Sequence, residues 1–210
     1  MRTDDLIEAL SKDAGNVAES VERRFGLFEA GGFAVAAALF LATLGPRADL
    51  AQAMLSPWFL LKVAFVALLA ILLLPLAVAL ARPGATVSFG RIAIAGAALL
   101  LAIVADLVLH GRADWQARMV GTNAMLCLTF IPVLALAPLI AALTALRHGA
   151  PVRPAMTGFT AGLLSGAIGA TLYAFHCGDD SPLFVALWYS LAIMLVAALG
   201  ALLGRLMLRW

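Results

Sequence analysis

Charge is what this sequence has least of. Of 210 residues, 12% are Asp, Glu, Lys or Arg, while 64% are hydrophobic. A soluble surface of roughly 25–35% charged residues cannot be assembled from that composition. Cysteine is nearly absent: two residues are too few for a disulfide framework. The net charge of +2 lacks the basic excess of a nucleic-acid-binding surface. The first 24 residues are polar, so no cleavable signal peptide is apparent, and the first apolar run is expected to stay as an anchor. No nucleotide-binding loop, haem motif or sensible Ser/His/Asp set is present. The two halves carry no inverted repeat, which weakens a transporter reading. A single cysteine pair is also half of what disulfide-generating membrane enzymes normally use.

What is present is a series of long apolar runs. They cover about Phe25–Leu44, Trp58–Ala81, Ile92–Leu109, a stretch within Met119–Leu146, Ala155–Phe175 and Leu183–Leu208. Each supplies roughly the 20 apolar residues that cross a hydrocarbon core of about 30 Å. The predicted fold is therefore all-α: a polytopic bundle of six transmembrane helices with short loops and antiparallel neighbours. A β-barrel would need strands alternating with period two, and none is seen. The chain divides into a cytoplasmic segment, 1–24, and a transmembrane domain, 25–210.

Orientation follows from Lys and Arg. With the N-terminus inside, the cytoplasmic side holds Arg2, Lys12, Arg23, Arg24, Arg82, Arg91, Arg147, Arg153, Arg205 and Arg209. The other side holds Arg47, Arg112 and Arg118, with Lys62 just within the second span. Ten against four predicts both termini in the cytoplasm. The loop after the fifth span, with Asp179 and Asp180 and no basic residue, then faces outward. Glu29 and Lys62 lie within about a turn of an interface, where snorkelling accounts for both.

Small residues recur at intervals of four in the fifth span, at Gly158, Gly162 and Gly166, and again at Gly200 and Gly204 in the sixth. This spacing lets helix backbones approach closely. Packing inside one bundle is the stronger reading, and a face for a homo-oligomer is the alternative. Pro75, Pro132 and Pro138 fall inside spans and are read as kinks.

Four polar features carry potential chemistry. Cys127, early in the fourth span, and Cys177, after the fifth, fall on the same outward, oxidising side. Their functional readings are a reversible disulfide or a seat for a soft metal ion; the plain reading is two small apolar fillers. His110 follows Asp106 by one turn, so the carboxylate can orient the imidazole. His110, His176, Cys127, Cys177, Asp179 and Asp180 together form a candidate ligand set for a thiophilic ion, without any tight ligand spacing. Asp106 and His110 also define the competing reading, a small transporter or metal-handling protein. The last feature is the N-terminal segment. Thr3 is a plausible N-cap, and Asp4 and Asp5 suit a first turn. Leu6, Ile7 and Leu10 form a short apolar stripe, and Gly15-Asn16 would end the helix. A short stripe with no domain to cover it suits docking into a partner's groove. Its acidic residues oppose the alternative of lying on anionic lipid.

The opening Met1–Leu10 with Asp13-Ala14-Gly15, Pro46–Leu50, Lys62 after Trp58-Phe59, Arg82-Pro83-Gly84, and His176–Pro182 leading to Trp188-Tyr189 resemble the NrsF family of membrane anti-sigma factors. The resemblance extends over essentially the whole chain. It implies a non-enzymatic regulator of the bacterial inner membrane that holds an extracytoplasmic-function sigma factor inactive. The sigma factor would be bound through Thr3, Asp4, Asp5, Leu6, Ile7 and Leu10. It also implies that Cys127 and Cys177 sense metal or oxidative stress, with no resident cofactor beyond a transient thiophilic ion or a disulfide. The sequence departs from the family where prolines commonly follow Ala-Gly: Gly15–Ala18 runs on into Glu19–Glu22, which supports a second short helix toward Arg23-Arg24.

Overall fold

The computed structural model describes residues 3–82, 90–110 and 114–208, with side chains at 3, 8, 22–82, 90, 92–110 and 114–208. Arg2, Arg112, Arg209, Pro83 and Gly84 lie outside the described residues. So do the side chains of Asp4, Asp5, Leu6, Ile7, Leu10, Lys12 and Arg91.

Helices are the regular secondary structure of the described residues, with no strand among them. The helices are α1 (Thr3–Thr43), α2 (Leu50–Ala53), α3 (Pro57–Leu80), α4 (Gly90–His110), α5 (Trp115–Val120), α6 (Ala124–Leu146), α7 (Pro154–Ala174), α8 (Pro182–Phe184) and α9 (Ser190–Met207). A π-helical turn, Val185–Tyr189, joins α8 to α9 without a break. Six stretches are long and apolar enough to cross a membrane: Glu22–Thr43, Pro57–Leu80, Ile92–His110, Trp115–Leu146, Pro154–Ala174 and Pro182–Met207. They coincide with the six runs expected from the sequence. The helices continue through Pro75, Pro132 and Pro138.

The N-terminal expectation needs correction. Gly15-Asn16 does not end a short helix; α1 is continuous from Thr3 to Thr43 and crosses position 24 without a break. The physical reason is that nucleation, not elongation, is the costly step. A turn added to a helix already anchored in a bundle needs no new nucleus. Gly and Asn together cost less than about 2 kcal/mol relative to Ala, and α1 contains no proline. At 1.5 Å per residue the helix is roughly 60 Å long, about twice a hydrocarbon core.

α7 is the central helix and packs against α9, α6 and α3; α1 lies along α6. The glycine stripes are used within the chain. A Cβ on Gly158 would come within 2.2 Å of the Gly200 carbonyl, and one on Gly162 within 2.5 Å of the Val196 carbonyl. The α7 and α9 backbones therefore touch, and the homo-oligomer reading of these glycines loses its support. Gly32 of α1 sits equally close to Pro138 and Ala141 of α6.

The bundle has two ends. At one, Arg82 pairs with Glu22 and the Ala150 amide donates to the Ala81 carbonyl. The other end gathers the loops after α1, before α6 and after α7, and it carries the polar cluster.

Candidate functional site

The loop that follows α7 begins as an extra turn, with the Cys177 amide donating to the Tyr173 carbonyl at 3.0 Å. Its two aspartates then bind in opposite directions. The Asp179 carboxylate accepts from the Thr122 amide at 3.0 Å, the Asn123 amide at 2.8 Å and the Asn123 side chain at 2.9 Å. These are unsatisfied donors at the start of α6, where a negative charge is also favoured by the helix dipole. Gly121 makes the approach feasible: its φ is +59, and a Cβ there would strike Phe184 and the Asp179 carboxyl. Cys127 lies in the first turn of the same helix, its amide donating to the Asn123 carbonyl. Asp179 thus ties the Cys177 loop to the helix that carries Cys127.

Asp180 turns toward α3. Its carboxylate accepts from Lys62 Nζ at 2.5 Å and from Arg47 at 3.0 Å. The Lys62 ammonium also donates to the carbonyls of Cys177 at 2.8 Å and Asp179 at 3.4 Å. Lys62 is 1% exposed, with its ammonium 5.4 Å from the centre of the Phe59 ring. The snorkelling expectation for Lys62 is therefore wrong: the loop covers it, and the loop supplies the partners that make burial tolerable. Glu29 is likewise buried, at 4% exposure, and neither carboxylate oxygen has a hydrogen-bond partner among the described residues. It falls on the stripe Phe25, Glu29, Gly32, Ala36 and Phe40 that faces the bundle.

Cys127 and Cys177 are brought together. Both are fully buried free thiols, and the Cys127 thiol donates a hydrogen bond to the Cys177 sulfur. That bond, together with the nearby Lys62 ammonium, pulls the Cys177 thiol down to about 7. Tyr173 and Tyr189 flank the sulfurs, with ring centres 6.1 Å apart. Both rings are fully buried, the Tyr173 hydroxyl turned to Cys127 and the Tyr189 hydroxyl to Cys177. The π-helical turn ends on Tyr189, and the Trp188 indole next to it donates to the Met119 carbonyl at 3.0 Å.

The other expected ligands do not join the thiols. His176 turns its Nδ1 to the Gly45 carbonyl at 3.0 Å. His110 stays with Asp106, 3.2 Å away, as the spacing predicted, and beside Trp58. Asp106 is 2% exposed and also meets Arg118 at 3.3 Å. This carboxylate therefore joins α4 to α5. Among the described residues, no three His, Cys, Asp or Glu side chains converge to hold a metal ion. Two facing sulfurs remain, a geometry suited to a disulfide or to two-sulfur contact with a soft cation.

Sequence reading missed Lys62, Arg47 and the two tyrosines. An ionisable residue inside a span is a functional candidate by default, and that signal was available for Lys62.

No solved structure matches this chain. Two relatives match over the full length of both chains. One is the anti-sigma-F factor NrsF of Caulobacter vibrioides, 39% identical over 226 aligned positions. The other is a probable anti-sigma-F factor NrsF of Azospira oryzae, 38% identical over 213. The sequence profile described as negative regulator of sigma F matches residues 10–210. With a match of that extent, carried by a chain of six long apolar helices, this protein belongs to the NrsF family of negative regulators of sigma F.

Proposed function

We propose that this chain is an anti-sigma factor of the bacterial inner membrane. It sequesters an extracytoplasmic-function sigma factor through residues 3–10 of α1, and releases it when metal or oxidative stress acts on Cys127 and Cys177. The observation that carries this reading is the unbroken α1. One helix is both the first apolar span and the N-terminal segment, so whatever moves the span also moves the segment. Full-length similarity to proteins named anti-sigma-F factors supports the partner class. The buried thiol pair at the opposite end supports the sensor. The distribution of Lys and Arg supports cytoplasmic termini.

The test is co-purification of the full-length protein from its native membrane. A sigma factor should accompany the wild type and be lost from Leu6→Asp and Leu10→Asp. If it stays bound to both variants, the docking segment lies elsewhere. Cys127→Ser and Cys177→Ser should retain the sigma factor and abolish induction of its regulon by oxidant or cadmium. Unchanged induction would reduce the thiols to packing residues.

A further inference from the structure

We propose that Lys62 is a positioning residue for the thiol pair: its ammonium, closed on Asp180, holds the Cys177 loop where Cys177 meets Cys127. The inference rests on the sensor reading above.

Three observations lead to it. An ammonium has three N–H donors, and the three oxygens that Lys62 contacts all belong to residues 177–180: the Cys177 carbonyl, the Asp179 carbonyl and the Asp180 carboxylate. The second observation is the absence of an energetic reason to keep such a lysine for stability alone. A buried ion pair is often matched or improved upon by apolar residues of the same volume, and Lys62 stands in an apolar helix where those residues abound. Last, the Cys177 carbonyl is itself one of the acceptors, so the clasp grips the backbone of the reacting residue. Arg47 adds a longer contact of 3.4 Å to that carbonyl, but its strongest bonds go to Asp49 at 2.6 and 2.7 Å. With Asp179 fixed to the start of α6, the loop is held on both sides, and the lysine supplies the α3 side.

A held thiol pair closes its disulfide more readily than a loose one. The test measures that closure on the full-length protein in nanodiscs, equilibrated with reduced and oxidised dithiothreitol. Two electrons and two protons pass from the thiols to the oxidised dithiothreitol as the S–S bond forms. At pH 6, below the value of about 7 for Cys177, that thiol is mostly protonated, so the lysine charge acts little through a thiolate. Lys62→Met and Asp180→Asn should each weaken disulfide formation about tenfold. For a two-electron couple that is about 30 mV toward a more oxidising midpoint. Gly162→Ala, which loosens the bundle far from the clasp, should leave the midpoint within threefold of wild type. A purely structural lysine would make all three variants alike. Asp180→Asn carries the test if Lys62→Met does not fold. Either clasp variant remaining folded and within threefold of wild type overturns the proposal. The sensor reading fails separately, through the cysteine variants and regulon induction.

Discussion

At the residue scale, the site is a problem of buried polarity solved locally. Lys62 and Asp180 answer each other, and the Cys177 thiol benefits from the arrangement. Thiolate, not thiol, reacts with alkylating agents. Alkylation of Cys177 by a small neutral reagent should therefore rise with pH through about 7, where an ordinary thiol turns over near 8.5. The midpoint should move upward in Cys127→Ala, which removes the donated hydrogen bond, and also in Lys62→Met. A wild-type profile centred near 8.5 would contradict the assignment. Glu29 is the opposite case, a buried carboxyl with no hydrogen-bond partner among the described residues. Leaving such a group unpartnered costs roughly 1–3 kcal/mol, so Glu29→Leu should raise the melting temperature in detergent. A fall would mean that Glu29 has a partner in the membrane. Both residues were legible as intramembrane charges. Which would be paired was not, because the partner of Lys62 is 118 positions away in a loop.

At the scale of helices, apolar length placed all six spans to within a few residues, since hydrocarbon thickness fixes that length. The glycine period also named the right helices: Gly158 and Gly162 of α7 meet Gly200 and Val196 of α9 through their backbones. Gly158→Ala and Gly162→Ala should each cost roughly 1–3 kcal/mol, the usual price of overpacking, visible as a lower melting temperature. Gly96→Ala, where a new Cβ meets nothing within 4 Å, should be neutral or slightly stabilising through helix propensity. Equal effects at the three sites would refute the close α7–α9 contact. Two features at this scale escaped the sequence. α1 runs through Gly15-Asn16 because a local stop signal is weak against elongation from an anchored helix. The π-helical turn that brings Tyr189 to the thiols depends on one inserted residue's worth of backbone, which hydropathy does not register.

At the scale of the whole molecule, the proposed release requires the thiol end to influence the N-terminal part of α1. Coupling of this kind needs an element that both sites bias. α6 is that element by position. It carries Cys127 in its first turn, with Asp179 bound at its start, and farther along it receives α1 at Gly32, where a Cβ would lie 2.9 Å from both Pro138 and Ala141. The two prolines, Pro132 and Pro138, fall between these contacts or at the second of them. Each lacks the N–H that would complete the helix ladder, so this part of α6 bends at lower cost than an unbroken helix. A displacement of the first turn of α6, caused by a disulfide or a bound cation at Cys127, can therefore be passed to α1 at the prolines. Gly32→Val tests the route without touching the thiols. It should force α1 away from α6 and leave the Cys127–Cys177 midpoint within threefold of wild type. Regulon activity should then become insensitive to oxidant by at least roughly fivefold, the lower range of measured allosteric couplings. Induction that survives Gly32→Val unchanged would move the route to α7 or α3, which also reach from the thiol cluster to the other end of the bundle.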